Sequence, residues 1–328
     1  MRKRLALVAL ALLLAAPAVL LAQPVPAAPS GPPSLPKDVP EFQVAQLNPF
    51  TWYGRFGYTN CAFVDTADGV LVVDTGWTKK DGENLKAQIA EKTKGKPVRW
   101  IVMTQTDVDS NGGIEAFLPT DATVFVHGEA IDLLSLGLFR GAAGQKKPTL
   151  VGVSDRVVVN AGGRRIEIVA QKGRAHSEYD LVVFNRDSGI AWVGDLVTPG
   201  RCPNLGNPAA DPKGWLSMLD AIHGLDPVGV VPTRGDATKS VNEELGRTRA
   251  YIERVLGLLA DQKAKEAPEA RVAAELSLQK IGDYCPITAD NANVLALYRR
   301  MQPDGSFAPP APLIVPPKPA AGTAPAPR

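Results

Sequence analysis

Short apolar runs alternate with polar punctuation across the middle of the chain. Residues 58–66 and 69–74 are rich in β-branched and aromatic side chains and are separated by Ala67-Asp68, which predicts a hairpin. Residues 80–92 have helical composition, with Leu85 and Ile89 four positions apart on one face. Residues 98–103, apolar apart from Arg99, read as a buried strand, and residues 122–126 as another. Residues 156–159 and 165–170 flank Ala161-Gly162-Gly163, and residues 181–184 and 190–193 flank Asp187-Ser188-Gly189; both pairs predict hairpins. Residues 215–225 place Trp215, Leu219 and Ile222 on one helical face, and a short strand follows at 229–231. Residues 243–260 form a long amphipathic pattern through Leu245, Ile252, Val255, Leu256 and Leu259, with further helices expected at 269–279 and 289–301.

Hairpins supply antiparallel ladders and strand–helix–strand units supply parallel ones. The two together predict mixed sheets covered by helices, a layered α/β protein.

The ends read differently. Arg2-Lys3-Arg4 precedes an apolar run from Leu5 to Ala16, Pro17 interrupts it, and small residues lead to Ala22. That is the grammar of a secretory signal over residues 1–22; an uncleaved anchor is the alternative, but the run is short for a span and carries Pro17. Residues 23–41 are rich in Pro and Ala and read as an extended linker, and residues 303–328 as a disordered tail of the same composition. The folded domain is therefore expected at 42–302. The protein is expected outside the cytoplasm, periplasmic or secreted, and free of the membrane once the signal is cleaved.

Charge narrows the partners. The chain has 36 Lys and Arg against 34 Asp and Glu, a formal +2, and without residues 1–22 the balance is 33 against 34. A near-neutral chain gives no electrostatic reason to expect nucleic acid, which leaves a small molecule or a protein of unknown identity as partner. Of the three cysteines, Cys61 lies in a strand pattern and reads as buried, while Cys202 and Cys285 sit beside prolines and are a candidate bridge in an oxidising compartment.

Unusual residues collect in five loops at strand ends: Asp74-Thr75-Gly76; the stretch from Thr104 to Gly113; Gly173 to Ser177; Gly194-Asp195-Leu196; and Pro232-Thr233-Arg234-Gly235-Asp236. Such loops are where catalytic groups of layered α/β folds gather. In order and spacing they resemble the metallo-β-lactamase superfamily, which carries Asp-Thr-Gly, then Thr-His-x-His-x-Asp-His-x-Gly-Gly, then a single His, an Asp, and a final His in a Pro-Gly-His-Gly-like turn. Thr104, Asp109, Gly112, Gly113, His176, Asp195, Pro232 and Gly235 keep that pattern. The resemblance runs from about residue 58 to 236 and implies a four-layer αββα sandwich of two mixed β-sheets, with a site along one edge of both sheets.

The metal ligands depart from the pattern. Gln105, Asp107, Ser110 and Arg234 stand at four His positions, while Asp109, His176 and Asp195 match. Carried across, the first pocket holds Gln105, Asp107, His176 and Asp195, and the second Asp109, Ser110, Asp195 and Arg234. Arginine cannot deprotonate and has no lone pair to give a metal, so the second pocket is expected to be a charge cluster of Arg234 with Asp109, Asp195 and Ser110 in place of metal. The first pocket leaves two outcomes open: no cofactor, or one divalent metal (Zn, Mn or Fe) on Gln105, Asp107, His176 and Asp195. Two functions follow. One is a non-catalytic or weakly active relative with a binding role. The other is a metal-dependent hydrolase of esters, thioesters or lactones, with Asp109 orienting the attacking water. Asp74 is expected to brace its neighbouring loop, and Gly112 and Gly113 to permit a tight turn. His127 and His223 lie outside the pattern and read as structural, as do Trp52, Tyr53 and Phe56, for which a substrate mouth is the alternative.

Overall fold

The structure is a computed structural model that describes residues 39–136, 139, 147–171, 173–276 and 287–308. The signal-like segment, most of the Pro/Ala-rich linker, the tail from residue 309 and Cys285 lie outside the described residues.

The first sheet runs in chain order: β1 (Ala45–Asn48), β2 (Thr51–Phe56), β3 (Thr59–Thr66), β4 (Gly69–Val73), β5 (Val98–Val102), β6 (Thr123–His127) and β7 (Thr149–Val153). Hairpin connections make β1 to β4 antiparallel. From β4 onward the pairs are parallel, because helical crossovers intervene. These are α1 (Lys79–Thr93) between β4 and β5, and α2 (Val108–Asn111) with a 3-10 turn at Gly112–Phe117 between β5 and β6. A short α3 (Ile131–Leu136) follows β6. The second sheet has β8 (Arg156–Ala161), β9 (Arg164–Ala170), β10 (Leu181–Asn185), β11 (Ile190–Trp192) and β12 (Gly229–Val231) side by side. Its only parallel pair among the described strands is β11 with β12, joined through α4 (Pro212–Gly224). Helices α5 (Val241–Ala264), α6 (Glu269–Leu276) and α7 (Ile287–Arg300) complete the chain.

Side-chain alternation explains the layering. In β4 every residue is buried; Leu71 and Val73 join the core between the sheets, whereas Val70 and Val72 join the core beneath α1. In β10, Leu181 and Val183 face the first sheet and Val182 and Phe184 pack with α4 and α5. Strands apolar on both faces need cover on both, so two sheets stack and helices close each outer face. The result is the four-layer αββα sandwich.

Differences from expectation lie where the pattern is short or interrupted. Strands β1, β2 and β7 and helix α3 carry no clear periodicity. Trp52, Tyr53 and Phe56 sit on β2 and are buried: Tyr53 between the sheets, Trp52 and Phe56 toward the helices, with Trp52 stacked on Phe63 at 5.2 Å. They are core residues, not a substrate mouth. The folded unit also extends past both expected boundaries. Val39 is buried in the inter-sheet core, and residues 303–308 turn back so that Phe307 bridges to Met301. Cys61 is buried and free, and Cys202 is disulfide-bonded.

Helix α1 is fixed at its start by a capping box, with Asp81 N–H donating to Thr78 Oγ1 (3.2 Å) and Thr78 N–H to Asp81 Oδ2 (2.8 Å). Its Gly82 lies against the turn that follows α2: a Cβ there would stand 2.1 Å from the Gly113 carbonyl oxygen. Gly82→Ala is expected to destabilise the fold by about 2 kcal/mol or more, because the obstacle is backbone that cannot rotate away. Urea unfolding of the variant against the parent measures this, and an unchanged midpoint contradicts it.

Candidate functional site

The five loops meet at one edge of the sandwich. Asp74 ends β4 with φ 56°, a left-handed conformation that Asp tolerates better than most residues. Its buried carboxylate accepts from Thr104 N–H (2.8 Å), Thr104 Oγ1–H (2.6 Å) and Asn111 Nδ2–H (3.0 Å). It therefore holds the start and end of the loop that carries Gln105, Asp107, Asp109 and Ser110. Gly76 N–H donates to the Ser110 carbonyl and Gly113 N–H to the Gly76 carbonyl. At Gly113 a Cβ would lie 2.0 Å from the Thr75 oxygen, and at Gly112 2.0 Å from the Trp77 oxygen. Both glycines are needed for close backbone approach.

The second sheet contributes the other half. Leu181 N–H donates to the Thr104 carbonyl, tying β10 to the loop after β5. Thr233 N–H donates to the Gly194 carbonyl, and Asn60 on β3 holds the Pro232 and Gly235 carbonyls through Nδ2 at 2.9 and 2.7 Å. Arg234 is thereby presented to both sheets.

Arg234 bridges two carboxylates: Nη1 donates to Asp195 Oδ2 and Nη2 to Asp109 Oδ2. Gln105 Nε2 also donates to Asp195 Oδ2 (2.8 Å) and to Ser110 Oγ (2.6 Å). The Gln105 amide oxygen, Asp195 Oδ1 and Asp109 Oδ1 are buried without a hydrogen bond. Burial disfavours the guanidinium charge, but Asp195 and Asp109 outweigh it and hold Arg234 more firmly protonated than usual.

His176 is buried edge-on to the Trp215 ring at 5.3 Å. Its Nδ1 lies 3.5 Å from Asp180 Oδ1, an ion-pair contact with no hydrogen bond at that nitrogen. Burial opposes a charged ring, yet Asp180, Asp195 and Asp107 together raise its pKa to about 9. Asp107 is partly buried; burial raises its pKa, His176 opposes that rise, and the neighbouring Asp109, Asp180 and Asp195 add to it.

Asp107, Asp109, His176, Asp195 and Arg234 line one cleft of about 330 Å³. Its outer rim is the 198–204 loop, with Thr198, Arg201, Cys202 and Asn204. Gln105 and Ser110 are buried and are not among its lining residues. Among the described residues, no three of His, Cys, Asp and Glu converge as a set able to hold one metal ion. His127 stands apart, with Nε2 3.0 Å from the Gln171 carbonyl, and His223 is exposed on α4. The rim loop and the bracing Asn60 and Asn111 were not singled out from sequence. Only Asn111 carried a local signal, lying beside Gly112-Gly113; the 198–204 loop has no periodicity and its closeness to Asp107 is a product of folding.

The αββα sandwich with a site on the shared sheet edge defines the class of protein. The chain belongs to the metallo-beta-lactamase superfamily, whose family model matches residues 54–234, more than half of its length. It is 26% identical over 186 residues to a metallo-beta-lactamase type 2 of Bacillus sp. (strain 170), covering 54% of this chain and 69% of that protein. Among solved structures it resembles the metallo-beta-lactamase from Pontibacter korlensis at 23% identity and TM-score 0.54, covering 64% of this chain and 98% of that one. It also resembles the sec-alkylsulfatase Pisa1 from Pseudomonas sp. at 15% identity and TM-score 0.65, over 78% of this chain and half of that one. At such identities the structural likenesses speak for fold.

Two measurements follow. Burial raises the Asp74 pKa to about 6, against the hydrogen bonds from Thr104 and Asn111. Between about pH 4 and pH 6 the unfolded chain therefore ionises Asp74 before the folded chain does, and stability falls by about 3 kcal/mol as pH rises through that window. In Asp74→Asn that contribution disappears, so the loss of stability from about pH 4 to about pH 7 in urea unfolding is smaller than in the parent. Arg234→Ala, which leaves the buried Asp195 charge without its cation, is expected to cost about 2–3 kcal/mol, and Asp195→Asn in the same chain to recover much of it. A double-mutant cycle with no coupling between the two positions contradicts the pairing.

Proposed function

We propose that this chain is an exported member of the superfamily in which a guanidinium–carboxylate cluster stands in place of the metal centre, and that its cleft binds a ligand without hydrolysing it. The observation that carries this reading is the double engagement of Arg234. Its two terminal nitrogens take Asp195 and Asp109, the two carboxylates that the family pattern assigns to metal in the second pocket. A cation bound there would face a fixed positive charge.

The first pocket fits a metal poorly for a different reason. Gln105 turns its N–H groups, not its oxygen, toward Asp195 and Ser110. In that orientation Oε1 of Gln105 points away from the shared carboxylate, and swapping oxygen for nitrogen would set it against the Asp195 charge. Asp180, Asp195 and Asp107 favour the protonated ring of His176, so a metal there would have to displace that proton. Without a metal-activated water, Asp107 and His176 face no Ser or Cys nucleophile among the residues lining the cleft other than the disulfide-bonded Cys202.

A second reading has one observation in its favour. Asp107, His176 and Asp195 line the same cleft, the residue types an altered mononuclear hydrolase of esters, thioesters or lactones would use. The signal-like start of the chain supports export in both readings.

Elemental analysis separates them. The mature protein, produced without chelator and offered Zn, Mn and Fe in turn, is expected to retain far less than one equivalent after gel filtration. One tightly held equivalent that is lost in His176→Ala overturns the metal-free reading. The combined substitution Gln105→His, Asp107→His, Ser110→His and Arg234→His is expected to gain stoichiometric zinc, since it restores the ligands on an unaltered loop framework. Failure of a folded variant to bind zinc means the pocket assignment is wrong.

A further inference from the structure

A second concave surface lies apart from the cleft. At the start of α1 a groove of about 530 Å³ runs between the β2–β3 turn and the residues from Trp77 to Asp81, and it shares no lining residue with the cleft. Two aromatic rings on its walls are left to solvent: Tyr58, 67% exposed, and Trp77, 42% exposed, with centroids 5.3 Å apart and planes at 51°. Tyr58 O–H and Trp77 Nε1–H make no hydrogen bond among the described residues. The charged groups of the groove are Glu41, Arg55 and Asp81, and the Asp81 carboxylate is held in the capping box with Thr78. The groove therefore offers two flat apolar faces, each with a donor at its rim, and little net charge. An extended segment with apolar rings and unpaired carbonyls meets that chemistry. A polyproline II helix is such a segment: it makes no internal hydrogen bonds, and proline fixes its shape before it binds.

The chain itself carries such a segment, and it joins the fold at this groove. Residues 23–36 contain six prolines and no charged residue. Pro26, Pro29 and Pro32 recur every third position, the period of a polyproline II helix, so in that conformation they share one face. Val39 is the first described residue; its carbonyl accepts from Arg55 Nη2 at 3.5 Å, and both Arg55 and Glu41 line the groove. The short tether from Pro32 to Val39 keeps the proline face at high local concentration there. Residues 309–328 are also rich in proline but leave from a different part of the molecule: Ala308 N–H donates to the Arg300 carbonyl on α7, which packs with α5 and the second sheet. We propose that residues 23–38 dock on the Tyr58–Trp77 groove of their own chain as a polyproline II segment, with Pro26, Pro29 and Pro32 on the two rings and segment carbonyls accepting from Tyr58 and Trp77. Gly112 lies against the Trp77 carbonyl, so the docked segment borders the loop that presents Asp107 and Asp109. The inference is independent of what the cleft holds.

The test is fluorine NMR of the full mature chain labelled with 5-fluorotryptophan. The chain has five tryptophans, Trp52, Trp77, Trp100, Trp192 and Trp215, and Trp77→Phe assigns the Trp77 signal. Pro26→Ser, Pro29→Ser and Pro32→Ser together are expected to move the Trp77 signal and leave the other four in place, because the described fold begins at Val39. A synthetic peptide of residues 23–38, added to that triple variant, is expected to return the Trp77 signal saturably to its parent position. With Tyr58→Ser added, the affinity for the peptide is expected to fall at least about tenfold. A Trp77 signal unmoved by the triple substitution overturns the proposal, as does absence of saturation by the peptide up to about 10 mM or an affinity unchanged by Tyr58→Ser. A signal that moves instead with Pro309→Ser, Pro312→Ser, Pro316→Ser and Pro319→Ser assigns the groove to the C-terminal tail and overturns it. A parent signal that shifts with protein concentration assigns the groove to a second copy and overturns it as well.

Discussion

The edge of this sandwich concentrates acids: Asp107, Asp109 and Asp195 on the cleft, with Asp180 behind His176. Carboxylates this close cannot all be ionised in a partly buried setting without cations among them, and in the absence of one some would take up protons. Arg234 answers that constraint. Its planar fork reaches two carboxylates at once from a turn that belongs to the second sheet, and neither lysine nor a neutral residue would span them in the same way. Position and chemistry are inseparable here, because the guanidinium compensates Asp109 and Asp195 only while the two sheets stay in register.

Much of the surrounding structure serves that register. Asn60 on the first sheet clamps the carbonyls of Pro232 and Gly235, and Leu181 on the second binds the Thr104 carbonyl. Asp74, left-handed and raised toward neutrality by burial, anchors both ends of the loop that presents Asp107 and Asp109. These are backbone fixtures, indifferent to whether the cleft holds a metal or a guanidinium. That indifference lets the αββα scaffold, the Asp-Thr-Gly turn and the Gly112-Gly113 approach stand with Gln105, Asp107, Ser110 and Arg234 on the loops they hold. Fold and family follow from the framework; activity depends on the few groups it presents.

A guanidinium and a zinc ion differ in one respect. The guanidinium neutralises charge but neither activates water nor polarises a carbonyl as a Lewis acid. It also carries one charge where a binuclear centre carries four.

How much of this was legible without coordinates depended on the range of the interaction involved. Alternation in residues 69–73 and 181–184 and the four-residue spacing of Leu85 and Ile89 are local properties, so the sheets and α1 could be read from one strand's or one turn's worth of sequence. The order of the loop motifs added the family, and the chemistry of arginine raised the charge cluster as an expectation. Strand β2 escaped because Gly54 and Arg55 break its alternation, and its burial comes from partners on β3 up to 13 residues away and from a second sheet. The 198–204 rim, the clamp of Asn60 on a turn over 170 residues later, and the rotation of Gln105 that aims its N–H groups at Asp195 were decided by tertiary structure alone. Residue types and their neighbours along the chain set which groups can ionise, donate or accept. Which of them find a partner is a matter of distances that only the packing of two sheets creates.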